Sequence, residues 1–309
     1  MTRDKLFRFV KSWGIKFIGL GIFIFILYTT NLLQLLAAIK KFSLLQICLL
    51  IILSFFVILF KSVRFRSILK INKVESNFYK TFLIYGSGIY LGTITPGRLG
   101  DFTKVLYLKN HFGCRYTKGV IINIIDRVLD LFILVLTSLL ALNWLVKINT
   151  KIIILSAILI VSIIVIFFHK KMINTIIRFV ERIFKTNIPE LWTDNLFSSA
   201  LLIPLFLSLI PYALIYFQMI FISQILGFTI NPNLLIGTLA LGNSTGLIPI
   251  SISGLGTRDA VFILMLGIVG LTSTEAISLS LSFFLLNNFS ILIISLFLFL
   301  LLKPNNINE

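Results

Sequence analysis

Two glycine- and proline-rich stretches of this chain each place one arginine and one aspartate in otherwise apolar surroundings. The first stretch ends in Arg98 and Asp101, and the second ends in Arg258 and Asp259. A guanidinium group presents a fork of donors that matches phosphate, and the free N–H groups at the start of a helix also favour anions. We therefore predict that Arg98 and Arg258 bind the phosphate of a substrate. The alternative is that each arginine is neutralised by its neighbouring aspartate, and that the glycines only pack helices.

The two stretches share one order of residues, which predicts an internal duplication. Each has a pair of glycines four residues apart, then a proline, then the turn with arginine and aspartate, and the second copy follows the first by about half of the 309-residue chain. The predicted repeats are residues 1–148 and 149–309. Because proline breaks helices, each stretch is expected to form a re-entrant hairpin. The predicted hairpin residues are Gly88, Gly92, Pro96, Gly97 and Gly100 in the first stretch and Gly242, Gly246, Pro249, Gly254 and Gly256 in the second.

A third group of charges lies between these stretches. Asp126, Arg127 and Asp130 occupy neighbouring positions of one predicted helix, and residues four apart share a helix face. The group predicts either a structural ion pair with Arg98 or Arg258, or a role with substrate or protons. The predicted substrate-binding residues are Arg98, Asp101, Asp126, Arg127, Asp130, Arg258 and Asp259.

Small polar side chains are dense in the second stretch. They predict a hydrophilic path through the membrane, or else hydrogen bonds between helices. The predicted path residues are Asn243, Ser244, Thr245, Ser251 and Ser253. Asn287 and Asn288 in the last apolar run have the same two interpretations.

The composition excludes a soluble globular domain. Hydrophobic residues make up 58% of the chain and the mean hydropathy is +1.04. The apolar runs suit helices across a hydrocarbon core of about 30 Å and lack the alternation of barrel strands, so we predict an all-α polytopic membrane protein. The net charge of +17 is expected to meet anionic lipid head groups rather than nucleic acid. Two cysteines and two histidines form no ligand pattern, so no metal or cofactor is expected.

Six full spans and two hairpins are predicted along the chain, although a hydropathy count could score seven or eight helices. The positive-inside rule assigns the basic residues after the second span, among them Lys61 and Arg64, to the cytoplasm, together with Lys104 after the first hairpin. Both termini are then cytoplasmic, and the two repeats start from opposite sides, which predicts an inverted repeat whose hairpins meet near the midplane. The predicted spans lie near residues 15–30, 44–60, 120–145, 152–168, 200–226 and 276–302, the hairpins at 81–94 and 235–270, and an amphipathic helix at 173–185.

Three ordered motifs resemble a known family. The stretches 95–102, 126–130 and 253–260 resemble the signature blocks of the lysylphosphatidylglycerol synthase transmembrane region, which is also called flippase-like. In the bifunctional members, a soluble domain transfers lysine to phosphatidylglycerol and the membrane region moves the product lipid between leaflets. Only seven residues follow Leu302 here, so the resemblance implies lipid translocation without the synthase domain.

The sequence therefore predicts a lipid translocase of the cytoplasmic membrane rather than an enzyme. Its cargo would be an anionic glycerophospholipid or a polyprenyl-phosphate-linked lipid, moved passively or by a gradient because no Walker-type loop is present. One alternative is a membrane-embedded enzyme that acts on a lipid-linked substrate, with Asp101, Asp126 or Asp259 as general base. The other is a membrane subunit that docks a separate soluble synthase or glycosyltransferase through its basic segments.

Overall fold

The structure is a computed structural model that describes residues 40–146, 201–245 and 256–302. Every regular element in these ranges is a helix, which confirms the all-α class. The predicted spans near 15–30 and 152–168 and the amphipathic helix at 173–185 lie outside these ranges. The described helices are α1 Leu44–Ile71, α2 Phe78–Ile94, α3 Thr103–Phe112, α4 Tyr116–Val146, α5 Leu202–Leu226, α6 Pro232–Thr245, α7 Thr257–Gly267 and α8 Ser273–Leu301.

Three of these helices, α1, α5 and α8, are long and apolar enough to cross a membrane. Their outward faces carry exposed large apolar side chains such as Ile52, Phe206 and Phe297. Such faces suit contact with lipid, because a helix satisfies its own backbone hydrogen bonds. The chain is therefore a multi-pass membrane protein.

Helix α1 extends well past its predicted end at residue 60. The positive-inside rule placed Lys61 and Arg64 in a cytoplasmic segment, but both lie within α1, and Arg64 is completely buried. The helix continues because its apolar stripe continues, with Phe65 and Ile68 also completely buried. It ends at Asn72, whose side-chain amide donates to the Ile68 carbonyl at 2.9 Å.

The first predicted hairpin is formed by α2, a 3-10 turn at Pro96–Phe102, and α3. A Cβ atom at Gly92 would lie 3.3 Å from the Asp101 Cβ, and one at Gly88 would overlap the Lys104 side chain and lie 2.7 Å from its Cδ. Later residues of α3 thus face earlier residues of α2, so the two helices run antiparallel. Lys104, predicted in a cytoplasmic segment, is completely buried in this hairpin. The depth of the hairpin in a bilayer stays a prediction.

The turn of this hairpin is closed by Thr95. Its hydroxyl donates to the Leu91 carbonyl at 2.8 Å and accepts from the Gly100 N–H at 2.7 Å. A Cβ atom at Gly100 would overlap the Leu91 carbonyl oxygen. Glycine is therefore required at this position by close packing of the turn on the end of α2.

The second hairpin stretch packs in the same manner. A Cβ atom at Gly242 of α6 would lie 2.7 Å from the Arg258 Cγ and 3.3 Å from a ring carbon of Phe262 on α7. Gly242 therefore faces Arg258 as Gly88 faces Lys104. Helix α7 begins after Gly256, which has a left-handed φ of 82°. The predicted residues Gly246, Pro249, Ser251, Ser253 and Gly254 lie outside the described residues.

The described helices follow one order twice: a long helix, two short helices, then a long helix. The first helices of these two sets of four, α1 and α5, run antiparallel. Lys41 Nζ near the start of α1 donates to the Leu226 carbonyl at the end of α5 at 2.9 Å, and Arg64 Nη1 donates to Ser208 Oγ near the start of α5 at 3.2 Å. Helix α2 packs on α8, and α6 packs on α4, so each hairpin contacts the last helix of the other set of four. The predicted repeat boundary at 148 lies outside the described residues, and the inverted repeat stays a prediction.

Candidate functional site

Four cations and three carboxylates meet between α1, the first hairpin and α4. Each carboxylate contacts at least two of the cations within ion-pair distance. The group therefore carries a surplus of one positive charge. We call the following seven residues the ion cluster: Lys61, Asp101, Arg64, Lys104, Asp126, Arg127 and Asp130.

Arg64 lies at the centre of the ion cluster. Its Nη2 lies 2.5 Å from Asp126 Oδ1, and its Nη1 lies 2.8 Å from Asp130 Oδ1. It also donates to Ser208 Oγ at 3.2 Å and to Tyr85 Oη at 3.4 Å. One guanidinium group thus connects α1 to α4, α5 and α2. Because the Arg64 and Asp126 side chains are completely buried, removing either charge would leave the other with only part of its counter-charge, which is costly in a buried place.

Asp101 connects the hairpin turn to α4. Its Oδ2 lies 2.6 Å from Arg127 Nε, and its Oδ1 lies 3.0 Å from Lys104 Nζ. Lys104 Nζ also lies 3.2 Å from Asp126 Oδ2 and 4.6 Å from the centre of the Tyr85 ring. Asp101 is therefore paired with cations other than Arg98, its predicted local partner.

A cavity of about 210 Å³ opens beside the ion cluster, between α1, α2, α4, α5, α6 and α8. Of the ion-cluster cations on its wall, Arg127 is 21% exposed and Lys61 is 12% exposed. Its polar lining residues are Lys61, Tyr85, Thr93, Arg98, Asp101, Arg127, Asp130, Tyr212, Asn243, Asn287 and Asn288. Its apolar lining residues are Val57, Ile58, Ile89, Leu131, Leu134, Ile215 and Ile291. The cavity is thus amphipathic.

Arg98 lies on the wall of this cavity at the tip of the first hairpin. Its side chain is exposed, and in the part of the chain that the structure describes no carboxylate lies within ion-pair distance of it. Its φ of 55° is left-handed, which costs a residue with a side chain about 1–3 kcal/mol. Such an outlier persists only where the surrounding structure holds it in place, and here it lies at a residue of the cavity wall.

Arg258 and Asp259 occupy a separate place. Neither belongs to the described lining of the cavity, and Arg258 is 1% exposed. Arg258 Nη2 lies 3.3 Å from Asp259 Oδ1, its Nε donates to Ser280 Oγ at 3.0 Å, and Ser280 Oγ donates to Asp259 Oδ1 at 2.5 Å. Arg258 thus forms an ion pair with its neighbouring Asp259, as the alternative interpretation of this arginine expected. The structure therefore places Arg98 on the cavity wall, whereas Arg258 lies outside the described lining, where its Nε and Nη2 contact Ser280 and Asp259 and its Nη1 is buried without a hydrogen-bond partner among the described residues.

Of the described residues that were predicted to form a polar path, one lines the cavity. This residue is Asn243. Ser244 Oγ donates to the Ala240 carbonyl at 2.8 Å, and Thr245 Oγ1 donates to the Gly242 carbonyl at 2.7 Å, so both hydroxyls are satisfied within α6. The remaining predicted path residues, Ser251 and Ser253, lie outside the described residues.

The comparison with known proteins supports the resemblance of the three motifs. The profile of a family described as the lysylphosphatidylglycerol synthase TM region matches residues 13–295. The chain belongs to this family. A comparison with curated proteins returned no match.

The motif blocks of this family form different parts of the site. Block 95–102 is the hairpin turn that carries Arg98 and Asp101, and block 126–130 supplies the α4 face of the ion cluster. In the third block, residues 256–260 are described and begin α7, away from the described cavity lining. Two of the three blocks therefore meet at the cavity.

Three members of the ion cluster were missed by the sequence prediction. Lys61, Arg64 and Lys104 were assigned to cytoplasmic segments because basic residues are common there. One signal could have found the α1 pair: Val57, Phe65 and their apolar neighbours continue a helical stripe on both sides of Lys61 and Arg64. A basic residue that interrupts a buried stripe requires a carboxylate partner, and α4 provides two.

Proposed function

We propose that the chain is a lipid translocase that moves an anionic lipid between the leaflets of the cytoplasmic membrane. The observation that carries this proposal is the surplus of positive charge at the amphipathic cavity. With Arg98 added to the ion cluster, five cations face three carboxylates. Charged groups at membrane depth are costly and are usually functional. A lipid phosphate would offset the surplus.

The headgroup phosphate would be bound by the three cations that line the cavity, Lys61, Arg98 and Arg127. Arg127 Nη1 lies 3.4 Å from Asp130 Oδ2, and Lys61 Nζ lies 3.4 Å from Asp130 Oδ1. The first contact is an ion pair without a hydrogen bond, and the second is a long hydrogen bond. Arg127 Nη1 and Lys61 Nζ therefore keep N–H groups for a ligand, while Arg127 Nε is held by Asp101 at 2.6 Å. The shorter contacts of Arg64 make it a structural cation that holds the site together.

The apolar part of the wall suits the remainder of a lipid. Val57 and Ile58 of α1, Leu134 of α4 and Ile291 of α8 all line the cavity. Apolar side chains there lower the cost of admitting the glycerol backbone and the first methylene groups, while the acyl chains stay in the bilayer. The family membership agrees with a transport function, and we propose passive or gradient-driven movement with both termini in the cytoplasm.

The ion pairs favour transport over the alternative of a membrane-embedded enzyme. A general base needs a carboxylate that is free to accept a proton. Asp126 instead contacts Arg64, Lys104 and Arg127. Asp259 accepts hydrogen bonds from the Gly256 N–H and from Ser280 Oγ. These carboxylates are therefore occupied as structural acceptors.

The test is lipid movement in proteoliposomes that contain the purified protein and phosphatidylglycerol with a fluorescent acyl chain. The fraction of label in the outer leaflet is followed by chemical quenching. We expect Arg98→Gln to slow the movement roughly tenfold to a hundredfold, because a hydrogen bond to a charged group contributes about 1.5–3 kcal/mol.

The matched control is Arg115→Gln, which removes an exposed guanidinium group between α3 and α4. We expect this control to move the lipid at the rate of the unsubstituted protein. Equal rates for both variants would remove Arg98 from the headgroup site. A purified protein that moves no labelled anionic lipid would refute the translocase itself and leave the docking subunit as the better explanation.

A further inference from the structure

Three carboxamide side chains lie on the cavity wall, on helices other than those of the ion cluster. Asn243 comes from α6, and Asn287 and Asn288 come from α8. Asn287 and Asn288 both lie within a π turn of α8, at Phe284–Phe289. Single π turns are frequent at functional sites.

The orientation of the Asn287 amide is determined by its neighbours. Gln218 Nε2 donates to the Leu50 carbonyl at 3.0 Å and to Ser54 Oγ at 3.3 Å. A carbonyl oxygen only accepts, so the nitrogen of Gln218 must face it and the Gln218 oxygen must accept from elsewhere. That donor is Asn287 Nδ2. Asn287 is thereby held in place, with its own oxygen left as an acceptor.

The other two amides are not engaged in this way. Within residues 40–146, 201–245 and 256–302, the side chains of Asn243 and Asn288 make no hydrogen bond, and both are partly exposed on the cavity wall. Each therefore offers one acceptor and two donors. Unengaged amides beside a cluster of cations form a second, uncharged half of the site.

We propose that this site selects a phosphate ester whose headgroup carries free hydroxyl groups, as in glycerol or a sugar. The inference rests on the proposed function and names the cargo class. A hydroxyl both donates and accepts, so it pairs with either side of a carboxamide. The cations would bind the phosphate, and Asn243 and Asn288 would bind the hydroxyl groups.

The experiment compares two lipids of equal charge in proteoliposomes. Phosphatidylglycerol and phosphatidylmethanol, each with the same fluorescent acyl chain, both carry one negative charge, but only the first has free hydroxyl groups. We expect the unsubstituted protein to move phosphatidylglycerol faster. We expect Asn243→Ala and Asn288→Ala each to slow phosphatidylglycerol about threefold to tenfold, which is the loss of one hydrogen bond. Phosphatidylmethanol should move at an unchanged rate, which also shows that the variants are folded.

The matched control is Asn233→Ala, because Asn233 is exposed and lies outside the described cavity lining. It should leave both rates unchanged. Equal slowing of both lipids by Asn288→Ala, or no preference in the unsubstituted protein, would overturn the hydroxyl inference while lipid translocation stands. Failure to move either lipid would overturn both proposals.

The same chemistry occurs in a water-soluble polyol phosphate, so a second arm uses radiolabelled glycerol 3-phosphate. We expect no uptake of this probe into the proteoliposomes. Uptake of glycerol 3-phosphate without movement of phosphatidylglycerol would assign the site to a free phosphate ester and overturn the lipid cargo.

Discussion

Replacement of Arg64 by alanine is the most direct test of the ion cluster. The guanidinium group of Arg64 is completely buried and contacts Asp126 at 2.5 Å and Asp130 at 2.8 Å. In Arg64→Ala, both carboxylates lose their shortest cation contact. Asp126 keeps Lys104 at 3.2 Å, and Asp130 keeps Lys61 at 3.4 Å. The remaining contacts are long, so they replace only part of the lost interaction.

The expected cost follows from this geometry. Breaking a buried ion pair by removing one partner destabilises a protein by about 3–5 kcal/mol. Each 1.36 kcal/mol is a factor of ten in an equilibrium constant, so the unfolding constant should rise by roughly two to four orders of magnitude. The hydrogen bonds from Arg64 to Ser208 and Tyr85, at 3.2 and 3.4 Å, would be lost as well. Because the remaining contacts of Asp126 and Asp130 act in the opposite direction, the middle of the range is expected.

The free energy of unfolding can be measured by denaturant titration of the purified protein in mixed micelles. The control is Arg66→Ala on the same helix, because Arg66 donates from Nε to the Ser76 carbonyl at 3.3 Å and its guanidinium lies 6.0 Å from the Phe78 ring. Partly exposed contacts of this kind contribute up to about 1 kcal/mol. If Arg64→Ala is no more destabilising than Arg66→Ala, Arg64 is not buried in the ion cluster, and the assignment of α1 to the site is wrong.

Three further predictions test the packing, the strain and the thiols. Gly88→Ala should lower the unfolding free energy by about 1–3 kcal/mol, because the added methyl group displaces the buried lysine of α3; Gly267→Ala, where the added atom meets open space, should be neutral or stabilising in the same titration. Arg98→Gly should abolish most lipid movement without loss of stability, because glycine adopts the left-handed φ of 55° freely; a clear loss of stability would contradict the strain. Burial raises the pKa of the Cys114 thiol, so Cys114 should react with N-ethylmaleimide in micelles more slowly than exposed Cys48. The labelling rate of Cys114 should rise with pH as its thiolate forms. Equally fast labelling of both cysteines would contradict the burial of Cys114.

The duplicated glycine stretches were visible in the sequence, but the partners of their charges were not. Alignment of the two stretches by residue type matched Arg98 with Arg258. In the structure, the residue that packs on the first glycine of its hairpin is Lys104 in one stretch and Arg258 in the other. The residue that corresponds to Arg258 in packing is therefore Lys104 and not Arg98. A comparison by residue type could not show this, because a buried lysine or a buried arginine can pack on the glycine.

The positive-inside rule could not reveal the ion cluster for a related reason. It assigns each basic residue by its neighbours along the chain, whereas the cost of burying a charge depends on its partners in space. The partners of Arg64 on α4 lie 62 and 66 residues away in sequence, and its partner on α5 lies 144 residues away. No local pattern contains that information.

The sequence alone determined that this chain is a helical membrane protein, because 58% hydrophobic residues exceed what a soluble core of this size can bury. It also predicted a turn near Pro96 and Gly100, because proline breaks helices, whereas the close contact with the Leu91 carbonyl that requires glycine at position 100 is seen only in the structure. The tertiary structure decided which charges meet. Helix packing buries Arg64 and Lys104 with three carboxylates, isolates Arg258, and leaves Arg98 on an open wall. The physical reason is that burying a charge is costly unless packing supplies its counter-charge, and packing is a property of the assembled helices.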